Sequence, residues 1–434
     1  MGRRRTHIPL AVFLNEKLVG HLIRESSGAI SFAYDQSWLS WEHALPVSLS
    51  LPLREDRHVG EKVSAYFENL LPDSDFIRRQ IAERVGASGM DAFHLLSKIG
   101  RDCVGALQFL PEGMDIGDLS YQEVLPLTEG DVESLLLNLK SFPLGLSSDN
   151  DFRISIAGAQ EKTALLYKDN QWFEPLGTTP TTHIFKTQIG HLPNGIDLSN
   201  SVENEFYCLK LMEAFGVPVN QAEIKTFGRT KALVIERFDR LWTKSGRLIR
   251  LPQEDCCQAL FIPPTLKYQN QGGPGILDLL KLLNGSDNAI KDKETLFKSQ
   301  MLFWLIGATD GHAKNFSLFL YPQNRYQLTP IYDVLTAQPS FDSKHLQLKE
   351  MKLALSVGNN RHYKFIDIQS RHFIETGERA GIAKQQIINI IEKIISQEKT
   401  AFESIENNLP GDFPSQIHES VKKAFQKRLQ TLQT

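Results

Sequence analysis

An aspartate followed five positions later by an asparagine, with a second aspartate beyond an alternating apolar segment, forms an inventory suited to moving a phosphoryl group. The residues are Asp310 and Asn315, inside the run Ile306 to Phe316, and Asp333 in Ile331-Tyr332-Asp333. In such chemistry one carboxylate accepts the proton of an attacking hydroxyl. A neutral carboxamide oxygen and a second carboxylate hold magnesium against the phosphates of ATP. The D-x-x-x-x-N spacing is the one found in protein-kinase catalytic loops. So short a pattern recurs by chance, and its weight depends on the elements around it.

Three upstream segments supply the rest of a nucleotide site. Ala157, Gly158, Ala159, Gln160, Glu161 and Lys162 lie between two strand-like apolar runs. Small residues let backbone N–H groups approach a phosphate closely. The loop satisfies neither G-x-x-x-x-G-K-[ST] nor G-x-G-x-x-G, and a plain hairpin turn is the alternative. Ser155 sets a hydroxyl beside it. Thr182 to Lys186 reads as a strand ending in a lysine, which would hold nucleotide phosphates or else face water at a strand edge. Lys231 to Phe238 is an apolar strand that breaks into charge. The backbone at Glu236, Arg237 and Phe238 would read an adenine edge there, or the segment is simply a buried strand with a charged exit.

The chain of 434 residues is long enough for two or three domains with a large core. Hydrophobic content of 41% and charged content of 23% mark an ordinary globular composition. A net charge of −3 argues against nucleic-acid binding by the whole molecule on its own account. The four cysteines, Cys103, Cys208, Cys256 and Cys257, form no C-x-x-C pair and suit buried positions in a reducing cytoplasm. Arg3-Arg4-Arg5 followed by Ile8 to Leu14 superficially resembles a signal peptide. The apolar run is short and lacks a small-residue cleavage site, so it reads as a first strand turning at Glu16-Lys17. No segment approaches the length of a membrane span.

The elements that must position these residues follow from periodicity. Strands are expected at Leu10 to Leu14, Leu18 to Ile23, Ala29 to Tyr34 and Gly105 to Leu110. Helices are expected at Val63 to Leu71, from a Ser74 cap through Arg84, at Ala92 to Ile99 and at Val202 to Phe215, with Gly216 as a stop. Beyond Leu251 the pattern is helical at Gln253 to Phe261, Gly275 to Leu283 and Glu294 to Gly307, the last delivering Asp310. A hairpin of Leu318 to Leu320 and Tyr326 to Leu328 carries the chain to Asp333. Gln385 to Ile395 and Ser415 to Leu432 are further helices. The expected fold is α/β (α+β) and two-lobed like a protein kinase. A β-rich N-terminal lobe would span 1–250, with subdomains 1–110 and 150–250, and an all-helical C-terminal lobe 251–434.

In combination these stretches resemble the HipA family, serine/threonine-kinase toxins of HipA–HipB toxin–antitoxin modules. The resemblance is carried by Asn69-Leu70-Leu71-Pro72-Asp73-Ser74, Ile99-Gly100-Arg101-Asp102, Ile156 to Thr163, Glu236-Arg237-Phe238-Asp239, Leu251 to Asp255 and Trp304 to Phe316, and it runs over essentially the whole chain. It implies Asp310 as catalytic base and Asn315 and Asp333 as Mg2+ ligands. Ala157 to Lys162 would form the ATP phosphate loop, Lys186 would be a phosphate contact, and Glu236 to Phe238 the adenine hinge. Gly311, His312 and Lys314 would line the nucleotide site, and Ser155 would be the autophosphorylation position. It also implies a HipB-like helix-turn-helix antitoxin dimer as partner, with operator DNA reached mainly through that antitoxin. The region matching the family's own DNA contacts carries Glu378 and Gly381 instead. The implied protein substrate is glutamyl-tRNA synthetase, and the implied location is the cytoplasm, with no membrane partner.

Two other functions share these residues. A small-molecule kinase would use the same Asp, Asn and Asp but would leave Ser155 unmodified. A non-catalytic nucleotide-binding corepressor would be indifferent to replacement of Asp310.

Overall fold

The computed structural model describes residues 7–114, 116, 122–145, 154–157, 160–191 and 197–433. Gly158 and Ala159 of the small-residue loop and the run Arg3-Arg4-Arg5 lie outside the described residues. The chain divides into two compact units, each discontinuous in sequence. The first comprises Met1–Thr187, Lys225–Thr265 and Leu318–Tyr326; the second comprises Gln188–Ile224, Leu266–Ser317 and Gln327–Thr434.

In the first unit the opening strands form where alternation places them. Leu10–Leu14 and Lys17–Arg24 make a hairpin whose turn uses Asn15 in the left-handed region, at φ 49°, a conformation asparagine tolerates well. They belong to a five-stranded antiparallel sheet ordered His58–Val59, Ile30–Tyr34, Lys17–Arg24, Leu10–Leu14, Leu107–Pro111. Val12, Val19, Leu22 and Phe32 are fully buried, so helices Glu61–Glu68 and Ala92–Ile99 are held by their own apolar faces. Ser74 caps the helix Asp75–Val85 by accepting from Ile77 N at 3.4 Å, and Gly86 ends it at φ 63°.

A six-stranded sheet follows, ordered Ala222–Phe227, Thr230–Glu236, His183–Thr187, Lys162–Lys168, Gln171–Pro175, Val124–Leu127. One face is filled by Val132, Leu136, Leu139, Leu165, Phe185, Phe227, Ala232 and Val234. Side chains alternate along a strand, so packing Phe185 into this core turns Lys186 to the opposite face.

The helix expected at Gln253 to Phe261 is instead a strand, Gln253–Asp255, followed by a four-residue helix, Cys256–Ala259. Buried hydrogen bonds overrule the helical pattern. Glu254 accepts from Leu49 N at 2.8 Å and from Ser48 Oγ at 2.5 Å. Asp255 accepts from Gln258 N at 2.8 Å, and Gln258 Nε2 donates to Tyr66 O at 3.1 Å. Burial pushes the Glu254 carboxyl up from 4.5 to about 8, against the opposing effect of those two donors. The folded chain therefore holds a proton there that the unfolded chain has already released. The stabilisation is full below 4.5 and is lost as pH rises through about 8. Urea unfolding across that window should show the wild type losing on the order of a few kcal/mol relative to Glu254→Gln. Parallel pH profiles for the two proteins would contradict the assignment.

The second unit is mostly helical. Ser201–Ala214, Ile276–Leu282, Ala289–Ile306, Ser370–Arg379, Lys384–Glu406 and Ser415–Gln433 are its longer helices. Phe215 stacks on Phe425 at 5.2 Å, Tyr207 Oη bonds His418 Nδ1 at 3.1 Å, and Trp304 Nε1 donates to Phe365 O at 3.1 Å. The mixed α/β class is as expected, but residues 251–434 are not all helical. They also contain strands Gln253–Asp255, Ser317–Tyr321, Arg325–Leu328, Lys352–Val357 and His362–Lys364. All four cysteines are buried, and none is joined in a disulfide. Among the described residues no helix is long and apolar enough to cross a membrane.

Candidate active site

The Asp310 segment is built by the helix that precedes it. Ala289–Ile306 ends at Gly307, whose φ of 84° lets the chain turn while its N–H still donates to Phe303 O at 3.0 Å. Ala308 bridges Thr336, and Thr336 Oγ1 donates to Ile306 O at 2.6 Å. Asp310 emerges exposed, and its carbonyl accepts from His312 N at 2.8 Å. A Cβ at Gly311 would lie 2.4 Å from the Phe303 ring, so the loop passes the helix only because that residue is glycine. Ala313–Asn315 then makes a single 3₁₀ turn.

Asn315 is buried, and its carboxamide nitrogen donates to Asp310 O at 2.9 Å and to Asp333 O at 3.5 Å. These donations turn the carboxamide oxygen away from both carbonyls, the orientation a cation ligand needs. Asp333 itself sits at φ 59°, a left-handed backbone that costs a non-glycine residue roughly 1–2 kcal/mol. The surroundings impose it. Ile331 N donates to Pro218 O at 2.9 Å, and Asn220 N donates to Ile331 O at 2.8 Å. Tyr332 Oη reaches Lys314 O at 3.0 Å and Ser317 Oγ at 2.6 Å. Asn204 clamps both backbone groups of Thr336, at 2.8 and 2.9 Å. Among the described residues no group of three or more His, Cys, Asp or Glu is placed to hold a metal. A magnesium ion here would be held by the mixed carboxamide and carboxylate set of Asn315 and Asp333.

His312 and Lys314 are buried in the same unit. The His312 ring lies edge-on to Tyr268, centroids 4.9 Å apart, and Tyr268 Oη donates to Asp310 Oδ1 at 2.5 Å. Sequence pattern gave no sign of Tyr268, because the fold brings it to Asp310 from 42 residues away.

The remaining predicted residues belong to the first unit. Ser155 is fully buried in the two-residue strand Ile154–Ser155, which pairs in parallel with Asp102–Cys103, and its Oγ donates to Leu70 O at 2.8 Å. Of the small-residue loop, Ala157 O accepts from Lys162 Nζ at 2.9 Å, and Gln160 Nε2 donates to Thr187 O at 2.9 Å. Gln160, Glu161 and Lys162 also line a small cavity with Pro72, Ile77, Pro143, Leu144 and Ile156. Lys162 and Lys186 are both buried and stand directly opposite each other on neighbouring antiparallel strands. Directly opposed residues share one face of the sheet, so the two lysines lie side by side.

At Glu236 to Phe238 the structure shows a role the sequence did not. Arg237 N donates to Thr182 O at 2.8 Å, so that N–H is already engaged. The Arg237 guanidinium enters a buried cluster with Asp102, Asp239, Arg240 and Arg250. Asp102 alone accepts from Arg240, Arg250, Arg237 and Thr181. Burial disfavours its charge, but the three guanidiniums and Thr181 still hold its carboxyl well below the usual carboxylate range. Phe238 lies edge-on to Phe319 at 5.6 Å.

Comparison with known proteins covers both ends of the chain. The model of the HipA-like C-terminal domain matches residues 154–402, and that of the HipA N-terminal domain matches residues 10–110. The protein Y4mE of Sinorhizobium fredii is 32% identical over 391 residues, covering 88% of this chain and 89% of that protein. The serine/threonine-protein kinase toxin HipA of Shewanella oneidensis is 29% identical over 364 residues, 81% of this chain and 78% of that one. Among solved structures, a chain from the Shewanella oneidensis MR-1 complex of HipA, HipB and operator DNA superposes with a TM-score of 0.80 over 98% of both chains. Its 23% identity makes this a likeness of fold.

Proposed function

The chain belongs to the HipA-like family, and from that premise we propose that it is a serine/threonine protein kinase acting as the toxin of a toxin–antitoxin module. The observation that carries the reading is the join at Asn315, whose one carboxamide binds the backbones of Asp310 and Asp333. We assign the roles by resemblance to that family. Asp310 takes the proton of the acceptor hydroxyl. Asn315 and Asp333 hold magnesium, which when bound offsets charge on the phosphates. In the first unit, Lys186 and the loop from Ala157 through Gly158, Ala159, Gln160 and Glu161 to Lys162 receive the phosphates of ATP. The backbone of Glu236, Arg237 and Phe238 receives the adenine, while the Arg237 guanidinium anchors that segment in the buried ion cluster. Gly311, His312 and Lys314 shape the surroundings of the base.

Partners follow by the same route: a HipB-like helix-turn-helix antitoxin dimer, operator DNA bound mainly through it, and glutamyl-tRNA synthetase as the protein substrate. Incubating that synthetase with the chain and Mg-ATP tests the last assignment. Phosphate on the synthetase supports it, and an unmodified synthetase beside a self-labelled chain rejects that substrate while sparing the kinase reading.

Ser155 is the self-phosphorylation position in this reading. A phosphate there brings about two negative charges into a fully buried strand. The strand must then release Cys103 and Leu70 and pull the attached loop out of its place. Chain fully phosphorylated at Ser155 should therefore bind a fluorescent ATP analogue at least tenfold more weakly than Ser155→Ala, a drop of about 1.4 kcal/mol or more. Equal affinities would overturn this switch.

A further inference from the structure

Tyr268 has no role in the reading above, yet its hydroxyl donates to Asp310 Oδ1 at 2.5 Å. That is the bond an acceptor hydroxyl must make to a general base. Two explanations compete: the phenol shields the base, or it fixes one carboxylate oxygen so that the other faces the acceptor.

The build of the segment favours the second. Backbone N–H groups of Gln271 and Gly273 both donate to Tyr268 O, at 3.1 and 3.0 Å. Gly272 turns at φ 97°, and a Cβ at Gly273 would lie 1.9 Å from Leu266 O, so the chain closes behind Tyr268 only through this glycine pair. Gln269 Oε1 accepts from Ser356 N at 2.6 Å, tying the segment to the strand Lys352–Val357. A Cβ at Gly275 would collide with that same Gln269 side chain. The Tyr268 ring is braced edge-on by His312, three residues from Asn315. A shield must be able to leave; this tyrosine is anchored from its backbone, its neighbour and its ring.

We propose that Tyr268 is a positioning residue for Asp310, holding Oδ1 so that Oδ2 is presented to the acceptor hydroxyl. The inference rests on Asp310 being the base. During transfer the acceptor oxygen bonds to the γ-phosphorus, the bond to ADP breaks, and the acceptor proton passes to Asp310. Tyr268 keeps its own proton throughout.

The test is self-labelling of the whole chain from radiolabelled Mg-ATP, read as the rate constant at saturating ATP and the ATP concentration giving half that rate. Tyr268→Phe keeps the ring against His312 and removes only the hydroxyl. The rate constant should fall about ten- to a hundredfold, the loss expected for one hydrogen bond to a charged group, with the half-saturating ATP concentration unchanged. In an Asp310→Asn background the same substitution should produce no further loss, because the two residues act as one unit. A Tyr268→Phe protein that labels at the wild-type rate or faster, beside an inactive Asp310→Asn, overturns the positioning role and leaves the base assignment standing. An Asp310→Asn protein that labels normally, or a wild type that takes no label, overturns the base assignment and this inference with it.

Discussion

Asp310→Asn should slow phosphoryl transfer by about 10²–10⁴-fold, the contribution of a positioned general base, with ATP affinity close to wild type. The substitution is nearly isosteric. The Asp310 carbonyl that accepts from His312 N and Asn315 Nδ2 is untouched. Tyr268 Oη keeps an oxygen acceptor in the asparagine side chain. What disappears is the capacity to take a proton, so the loss appears in the rate constant and not in nucleotide binding. A variant with undiminished transfer would remove Asp310 from the chemistry and put the base elsewhere.

Asp102→Asn should destabilise the first unit by about 3–5 kcal/mol, the usual consequence of breaking a buried ion pair from one side. Asp102 is 1% exposed and is bonded by Arg237, Arg240 and Arg250, themselves all buried. Removing its charge leaves Arg237 and Arg240 with the Asp239 carboxylate, and takes from Arg250 its carboxylate partner beside the carbonyls of Arg101 and Thr178. Burial already pushes the Arg240 guanidinium down to about 10, and loss of Asp102 can only add to that penalty. The same cluster gives an acid limit. The Asp102 carboxyl is held below 3.8, so its stabilisation is present above that value and lost as pH falls through the folded-state value. Calorimetry of wild type and variant checks the magnitude, and an unfolding transition that stays in place would mean that the cluster relaxes without cost.

Arg237 shows why part of the site was legible in the sequence and part was not. Glu236 to Phe238 stood out because an apolar strand ends abruptly in charge. Nothing local indicated that the guanidinium turns inward to Asp102, which lies 135 residues away. The Asp310 to Asn315 spacing was readable because the two residues lie five positions apart on one loop, close enough for Asn315 Nδ2 to bond Asp310 O directly. The left-handed backbone of Asp333 was not, since Pro218, Asn220 and Asn204 impose it from distant parts of the chain. Strands such as Leu10–Leu14 and caps such as Ser74 also followed from local rules. Gln253–Asp255 reads as helix for the opposite reason. Its polar side chains are buried against Ser48, Leu49 and Asp239, and that environment decides for strand. Tyr268 belongs with these cases, as a lone tyrosine given meaning only by the glycine-closed loop behind it.

The most direct test of the kinase assignment is intact-mass analysis with peptide mapping after incubation in Mg-ATP, wild type beside Asp310→Asn. The wild type should gain a phosphoryl group that maps to the peptide holding Ser155, and the variant should gain none. A wild type that stays unmodified while transferring phosphate to no protein, or a variant labelled as fully as the wild type, would contradict it.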